Sequence, residues 1–178
     1  MSKQEFFEKI LTGEALSKNE QIEIFRFSTP EAKEILLEYI KHHRLCKEAQ
    51  MKLFDLQSLK VVMKLLRKYM QRHYLCDEAQ VKIFSLPQKC IVNLLSSYLS
   101  LKRQLCEKAQ IELFALPVKV SNDFVRKYIM YDDLYPKAQM KLFDLPPELS
   151  KELFLLHNCF AKLCIEAETK ALELGFFC

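Results

Sequence analysis

Small and apolar residues return at spacings of three and four over stretches of about ten residues, and these stretches themselves return about every 30 residues. In LCKEAQMKLFDL, from Leu45, the positions Cys46, Ala49, Leu53, Phe54 and Leu56 fall on one face of a helix of about 3.6 residues per turn. The string recurs as LCDEAQVKIFSL from Leu75, LCEKAQIELFAL from Leu105 and LYPKAQMKLFDL from Leu134, with fainter copies from Leu16 (LSKNEQIEIFRF) and Leu163 (LCIEAETKALEL). Each copy predicts a first helix of about ten residues. Pro136 stands where other copies have Lys47 and Asp77, and Ser17 is followed three residues later by Glu20 as in a capping box, so the cysteine column belongs at the helix N-cap.

The first helix ends at a leucine often followed by proline, as in Leu86-Pro87, Leu116-Pro117 and Leu145-Pro146-Pro147, where helical angles are disfavoured and a new helix starts well. A second helix is expected there. In the copy from Leu45 its apolar face is Leu59, Val62, Met63, Leu66, Tyr69 and Met70, and the tyrosine heads a column with Tyr39, Tyr98 and Tyr128. Helices of about ten residues are marginal alone in water. The hairpins must therefore stack, and Phe25, Phe54, Phe84, Phe114 and Phe143 are the expected buried contacts between them.

The expected fold class is all-α, a right-handed α-solenoid of stacked two-helix repeats with a period of about 30 residues. It forms one domain over 1–178: an N-terminal helix at 3–12, hairpins from about 16, 45, 75, 105 and 134, and a capping helix at 164–174. On these repeats the chain resembles, over essentially its whole length, the α-solenoid superfamily of HEAT, armadillo and tetratricopeptide-like proteins. The likeness is one of class: without Trp there is no tetratricopeptide W-x2-L-G-x2-Y, and the period is shorter than a HEAT unit.

Composition narrows the picture. Half of the 178 residues are hydrophobic, which argues against disorder, and the two glycines, Gly13 and Gly175, leave no Gly-rich phosphate loop. MSKQEFFEKI lacks the order of a secretion signal, no apolar run approaches about 18 residues, and Cys178 is not four from the end as prenylation needs. The expectation is a cytoplasmic protein with no membrane partner, no lipid anchor and reduced thiols. Neighbouring repeats, about 8–10 Å apart, hold their cysteines too far apart for disulfides.

Gln21, Gln50, Gln80, Gln110 and Gln139 form an unbroken column beside the apolar face. They are expected to make a structural ladder of amides bonded to loop and helix-end backbone; the alternative is a polar track that grips an extended peptide. His43-x2-Cys46 and His73-x2-Cys76 contain a zinc ligand set, but lie one repeat apart, and the copy with Arg103 in the histidine position keeps Cys106. The cysteines are thus expected to be small buried packing residues, the histidines to sit at helix C-termini, and no metal or other cofactor is expected.

Net charge is +4, concentrated in residues 45–104, where eleven Lys and Arg face four acids. Lys60, Lys64, Arg67, Lys68 and Arg72 lie opposite the apolar face of one second helix, with no acid between Asp55 and Asp77. These five are the candidate partner-binding residues, Arg67 and Arg72 foremost because neither has an acid in its column one repeat back. Glu34 and Glu38 stand one repeat before Lys64 and Lys68, where cross-pairing would consume part of the charge. The Asp132-Asp133 pair is expected to terminate a helix.

Without G-x-S-x-G, H-E-x-x-H, P-loop or dinucleotide fingerprint, the chain is not expected to be an enzyme. It is expected to be a monomeric protein–protein interaction scaffold or adaptor, presenting a helical-repeat surface to an acidic protein partner. The alternative is a nucleic-acid-binding repeat protein using the same basic patch, by resemblance to HEAT-like DNA glycosylases. Phe6, Phe7, Phe176 and Phe177 are expected to cover the ends of the core.

Overall fold

The computed structural model describes residues 1–177 and is all-helical: twelve α-helices and four short 3-10 turns, with no strand among the described residues. No helix among these residues is long and apolar enough to cross a membrane. The chain divides into two compact units, Met1–Ser97 and Tyr98 onward.

The first unit contains α1 (Lys3–Leu11), α2 (Lys18–Glu23), α3 (Thr29–Tyr39), α4 (Lys47–Lys52), α5 (Leu59–Arg72), α6 (Asp77–Lys82) and most of α7 (Gln88–Ser100). Helix α1 packs on α3 and α3 on α5, while α2 packs on α4 and α4 on α6. Long helices thus line up with long and short with short, giving two layers around one core. The second unit contains α8 (Glu107–Phe114), α9 (Val118–Ile129), α10 (Pro136–Lys141), α11 (Pro147–Phe160) and α12 (Ile165–Glu173). There α9 packs on α11, α8 on α10 and α10 on α12.

Local chemistry sets the helix ends. Ser17 and Glu20 close a capping box on α2: the Glu20 N–H donates to Ser17 Oγ (3.3 Å) and the Ser17 N–H to Glu20 Oε2 (2.8 Å). Lys9 Nζ, 2.6 Å from the same carboxylate, and the Ser17 bonds hold Glu20 down to about 2. Ser2 and Glu5 repeat the box on α1. Both glycines end helices in the left-handed region, Gly13 at φ 79 and Gly175 at φ 68. Each has the paired bonds of a Schellman turn: Gly13 N–H to Ile10 O and Glu14 N–H to Lys9 O, then Gly175 N–H to Leu172 O and Phe176 N–H to Ala171 O. A Cβ at either glycine would meet nothing within 4 Å, so backbone conformation, not space, demands the residue.

The short helices run for six α-helical residues in four of the copies and finish in a 3-10 turn at Ile24–Arg26, Leu53–Asp55, Ile83–Ser85 and Leu142–Asp144. The core column differs from the expected one. Phe25, Phe54, Phe84, Phe114 and Phe143 are only half-buried, and the residues before them, Ile24, Leu53, Ile83, Leu113 and Leu142, take the core position. Leu53 lies four residues beyond the fully buried Ala49 and shares its face, whereas Phe54 stands about 100° further round at the edge of the stripe. Tyr39, Tyr69, Tyr98 and Tyr128 are fully buried, each removing apolar surface worth about 1.5–3 kcal/mol from water. Phe6 is buried edge-on against Phe27, and Phe176 against Phe154 and Ala171, while Phe7 is half-buried and Phe177 exposed.

Candidate interaction surface

The glutamine column is consumed inside the fold. All five side chains are buried. Gln50 Nε2 donates to Leu45 O (2.9 Å), and its Oε1 accepts from the Cys76 N–H (2.7 Å) at the start of α6. Gln21 does the same with Leu16 O and the Cys46 N–H, Gln110 with Leu105 O and the Tyr135 N–H, and Gln139 with Leu134 O and the Cys164 N–H. Gln80 donates to Leu75 O (3.1 Å). One amide ties its own loop to the first turn of the next short helix, a task that needs donor and acceptor together and excludes Glu or Leu. The column therefore offers no polar track to a bound peptide.

The cysteines act through their backbone. Cys46, Cys76, Cys106 and Cys164 are N-cap residues, and the first three, which the sequence reading expects buried, are half-buried, because the N-cap sits on the rim of the short-helix layer. Burial pushes the Cys76 thiol up, away from a reactive thiolate. The imidazole of His43 stacks on Tyr39 with ring centroids 4.9 Å apart, and His73 Nε2 is 2.9 Å from Ile40 O. No three His, Cys, Asp or Glu side chains come together around a metal-sized space among the described residues. Asp132 accepts the Tyr128 hydroxyl (3.2 Å) and the Asp133 N–H (2.9 Å), tying off the turn after α9.

On α5, Lys60, Lys64, Arg67 and Lys68 are exposed and make no hydrogen bond or ion pair among the described residues. Arg72 differs: its Nη1 donates to Lys41 O at 2.7 Å, just past the end of α3, so its guanidinium caps carbonyls that the helix end leaves open. The expected pairing of Lys64 and Lys68 with Glu34 and Glu38 does not form. Lys3 holds Glu34 at 2.6 Å and Lys41 holds Glu38 at 2.5 Å, both being nearer than the long-helix neighbour. A groove on the α3 side of α5, of about 600 Å³, nevertheless includes both carboxylates beside Phe7, Leu37, Lys64 and Lys68.

The groove on the other side of α5 is chemically simpler. It has a volume of about 810 Å³ between α5 and α7, and Leu59, Met63 and Cys90 supply its apolar part. Lys60, Lys64, Arg67, Lys68 and Lys89 surround these residues, with Gln71 and Asn93 and no acid. The sequence reading missed Lys89 and the floor residue Cys90; the signal available was that α7 carries Lys89 and no acid at all. By contrast, the short helices answer charge with charge, Lys18 to Glu48 and Lys47 to Glu78. Comparison with protein-family models, curated proteins and solved structures finds no match.

Proposed function

We propose that this protein is a non-enzymatic interaction scaffold, a right-handed α-solenoid of two-helix repeats with a period of about 30 residues, whose α5 face captures an acidic protein segment. The observation that carries the reading is the cluster of exposed cations on α5, Lys60, Lys64, Arg67 and Lys68, which form no ion pair among the described residues and border a groove without acids. Cations alone attract any polyanion. Leu59, 41% exposed at the groove's edge, favours an occupant with apolar side chains as well as carboxylates, which a protein helix supplies and a phosphate backbone does not. The cytoplasm is the compartment this reading assigns.

Affinity capture from a native cell extract tests it, comparing the wild type with Lys64→Glu/Arg67→Glu and including a nuclease-treated arm. The expected result is a protein that survives nuclease and is lost with the charge reversal. Recovery of nucleic acid, with affinity falling steeply as salt rises, would replace this reading with nucleic-acid binding.

A further inference from the structure

We infer that the α5–α7 groove receives helix α12 of a second copy of this chain. The inference rests on the reading of α5 as a protein-binding face and goes beyond it by naming the occupant.

Helix α12 turns Ala167 and Ala171 inward, both fully buried, and leaves an apolar stripe outside: Ile165 is 79% and Leu172 64% exposed. Residues 165 and 172 are two turns apart on one face, with Thr169 between them. Glu168 flanks the stripe on one side, Glu166 and Glu173 on the other. The carboxylates of Glu166 and Glu168 have no hydrogen bond or ion pair among the described residues; Glu173 has Lys170 at 3.1 Å.

This is the chemical complement of the groove, in which Leu59 and Met63 lie between a wall of Lys60, Lys64, Arg67 and Lys68 and the single cation Lys89. Lengths agree too. The nine residues of α12 rise about 13.5 Å, within the roughly 21 Å of the fourteen-residue α5. An amphipathic helix laid in a groove, its apolar stripe down and its acids toward the cations, would cover its own Ile165 and Leu172 together with the exposed Leu59, over a floor of buried Met63 and half-buried Cys90.

Each copy carries one groove and one α12, so the contact is heterologous, and each molecule can give and receive. A nine-residue helix buries less than a standard interface. Association is therefore weak and reversible, appearing at roughly 10–500 µM protein, and salt weakens it because the Debye length is about 10 Å at 0.1 M.

Sedimentation velocity of the full chain over that range, in 50 and 500 mM NaCl, tests the inference. Wild type should sediment faster with concentration in low salt and lose most of that shift in high salt. Lys64→Glu/Arg67→Glu alone should stay monomeric because the groove falls from five cations to a net charge of +1 and sets two carboxylates against the acids of α12, and Glu166→Lys/Glu168→Lys alone because α12 then meets the groove with like charge. Mixed in equal amounts they should associate again, because the unaltered groove of the α12 variant meets the unaltered α12 of the groove variant. All these side chains are exposed, so unchanged circular dichroism and melting confirm that folding is intact. A wild type that remains monomeric at 500 µM in low salt, self-association that persists in either variant, or a mixture that fails to recover would each overturn the inference. If the wild type is monomeric while a captured protein is still lost with Lys64→Glu/Arg67→Glu, the interaction reading stands and only the second copy as occupant is wrong.

Discussion

Helices α5 and α9 are built on the same register, with Tyr69 and Tyr128 buried at equivalent positions and Arg67 and Arg126 two residues before them. Yet Arg126 Nη2 lies 2.6 Å from Glu152 Oε1 of α11, while Arg67 has no partner among the described residues. Glu152 is 26 residues beyond Arg126; the same step from Arg67 reaches Asn93 on α7, which lines the α5–α7 groove. Whether a cation on a long helix stays unpaired or is drawn into a solvated ion pair is thus decided by one residue on the next long helix. The two units differ in a second way. Tyr39 and Tyr69 fill the tyrosine position in the first, whereas the second ends its column with His157, also fully buried.

The largest effect should come from the feature both units share. Gln50→Met removes both ends of the amide bridge and leaves Leu45 O and the Cys76 N–H without it inside the fold. At about 1–3 kcal/mol for each of the two orphaned groups, the expected loss is about 2–6 kcal/mol, read by urea denaturation. Lys64→Glu on exposed α5 should stay within about 0.5 kcal/mol. A Gln50→Met protein as stable as the wild type would remove the ladder's structural role.

Next comes the unlike pair in the aromatic column. Desolvation holds the His157 imidazole below its ordinary 6.5, with Asp133 opposing more weakly. Its Nδ1 is buried without a hydrogen-bond partner among the described residues, and Nε2 is 3.4 Å from the Leu134 nitrogen, where it can accept that N–H only in the neutral state. The unfolded chain therefore binds a proton that the folded one refuses, so stability contributed by neutral His157 is lost as pH falls through 6.5 toward the lowered folded value. Melting followed between pH 8 and 5 should show this decline, and His157→Tyr should flatten it. Tyr128 accepts the Leu105 N–H at 3.2 Å and shows what the replacement can do. An unchanged pH profile in His157→Tyr would assign the decline to another group.

The periodicity makes helices, their short-long alternation and the N-cap cysteines readable without coordinates, because spacing and capping are local. It also marks the glutamines, since only a repeated backbone need explains one amide in every copy. It does not reveal that Leu53 displaces Phe54 from the core, which depends on about 100° of rotation at the edge of an apolar stripe. Nor does it separate Arg72 from Arg67. Both read as unpaired cations on α5, and only the fold brings Lys41 O within 2.7 Å of one of them. The groove itself is a tertiary object, assembled by α7 against α5.

A sharper break of the α5–α9 comparison is to give the groove the acid it lacks. Asn93→Glu places a carboxylate where α11 has Glu152, so Arg67 gains a partner and the groove loses net positive charge. Capture of an acidic segment should fall about tenfold, equivalent to about 1.4 kcal/mol, while the melting temperature stays unchanged. Undiminished capture would mean that binding does not use the α7 side of α5.

The smallest effect runs in the opposite direction. Glu152→Asn makes α11 resemble α7 and releases Arg126, yet both side chains are already substantially exposed, at 38% and 55%. Pairs of this kind couple by about 0–1 kcal/mol because solvent screens them and two long side chains lose freedom in the bond. A double-mutant cycle with Arg126→Met should therefore return a coupling of less than about 1 kcal/mol. A larger coupling would show the bridge to be part of how α9 and α11 hold together, and the missing acid on α7 would then weaken α5–α7 packing as well as freeing a cation. A small one leaves the simpler account: Glu152 silences a charge at little structural cost, and Asn93 leaves its counterpart available.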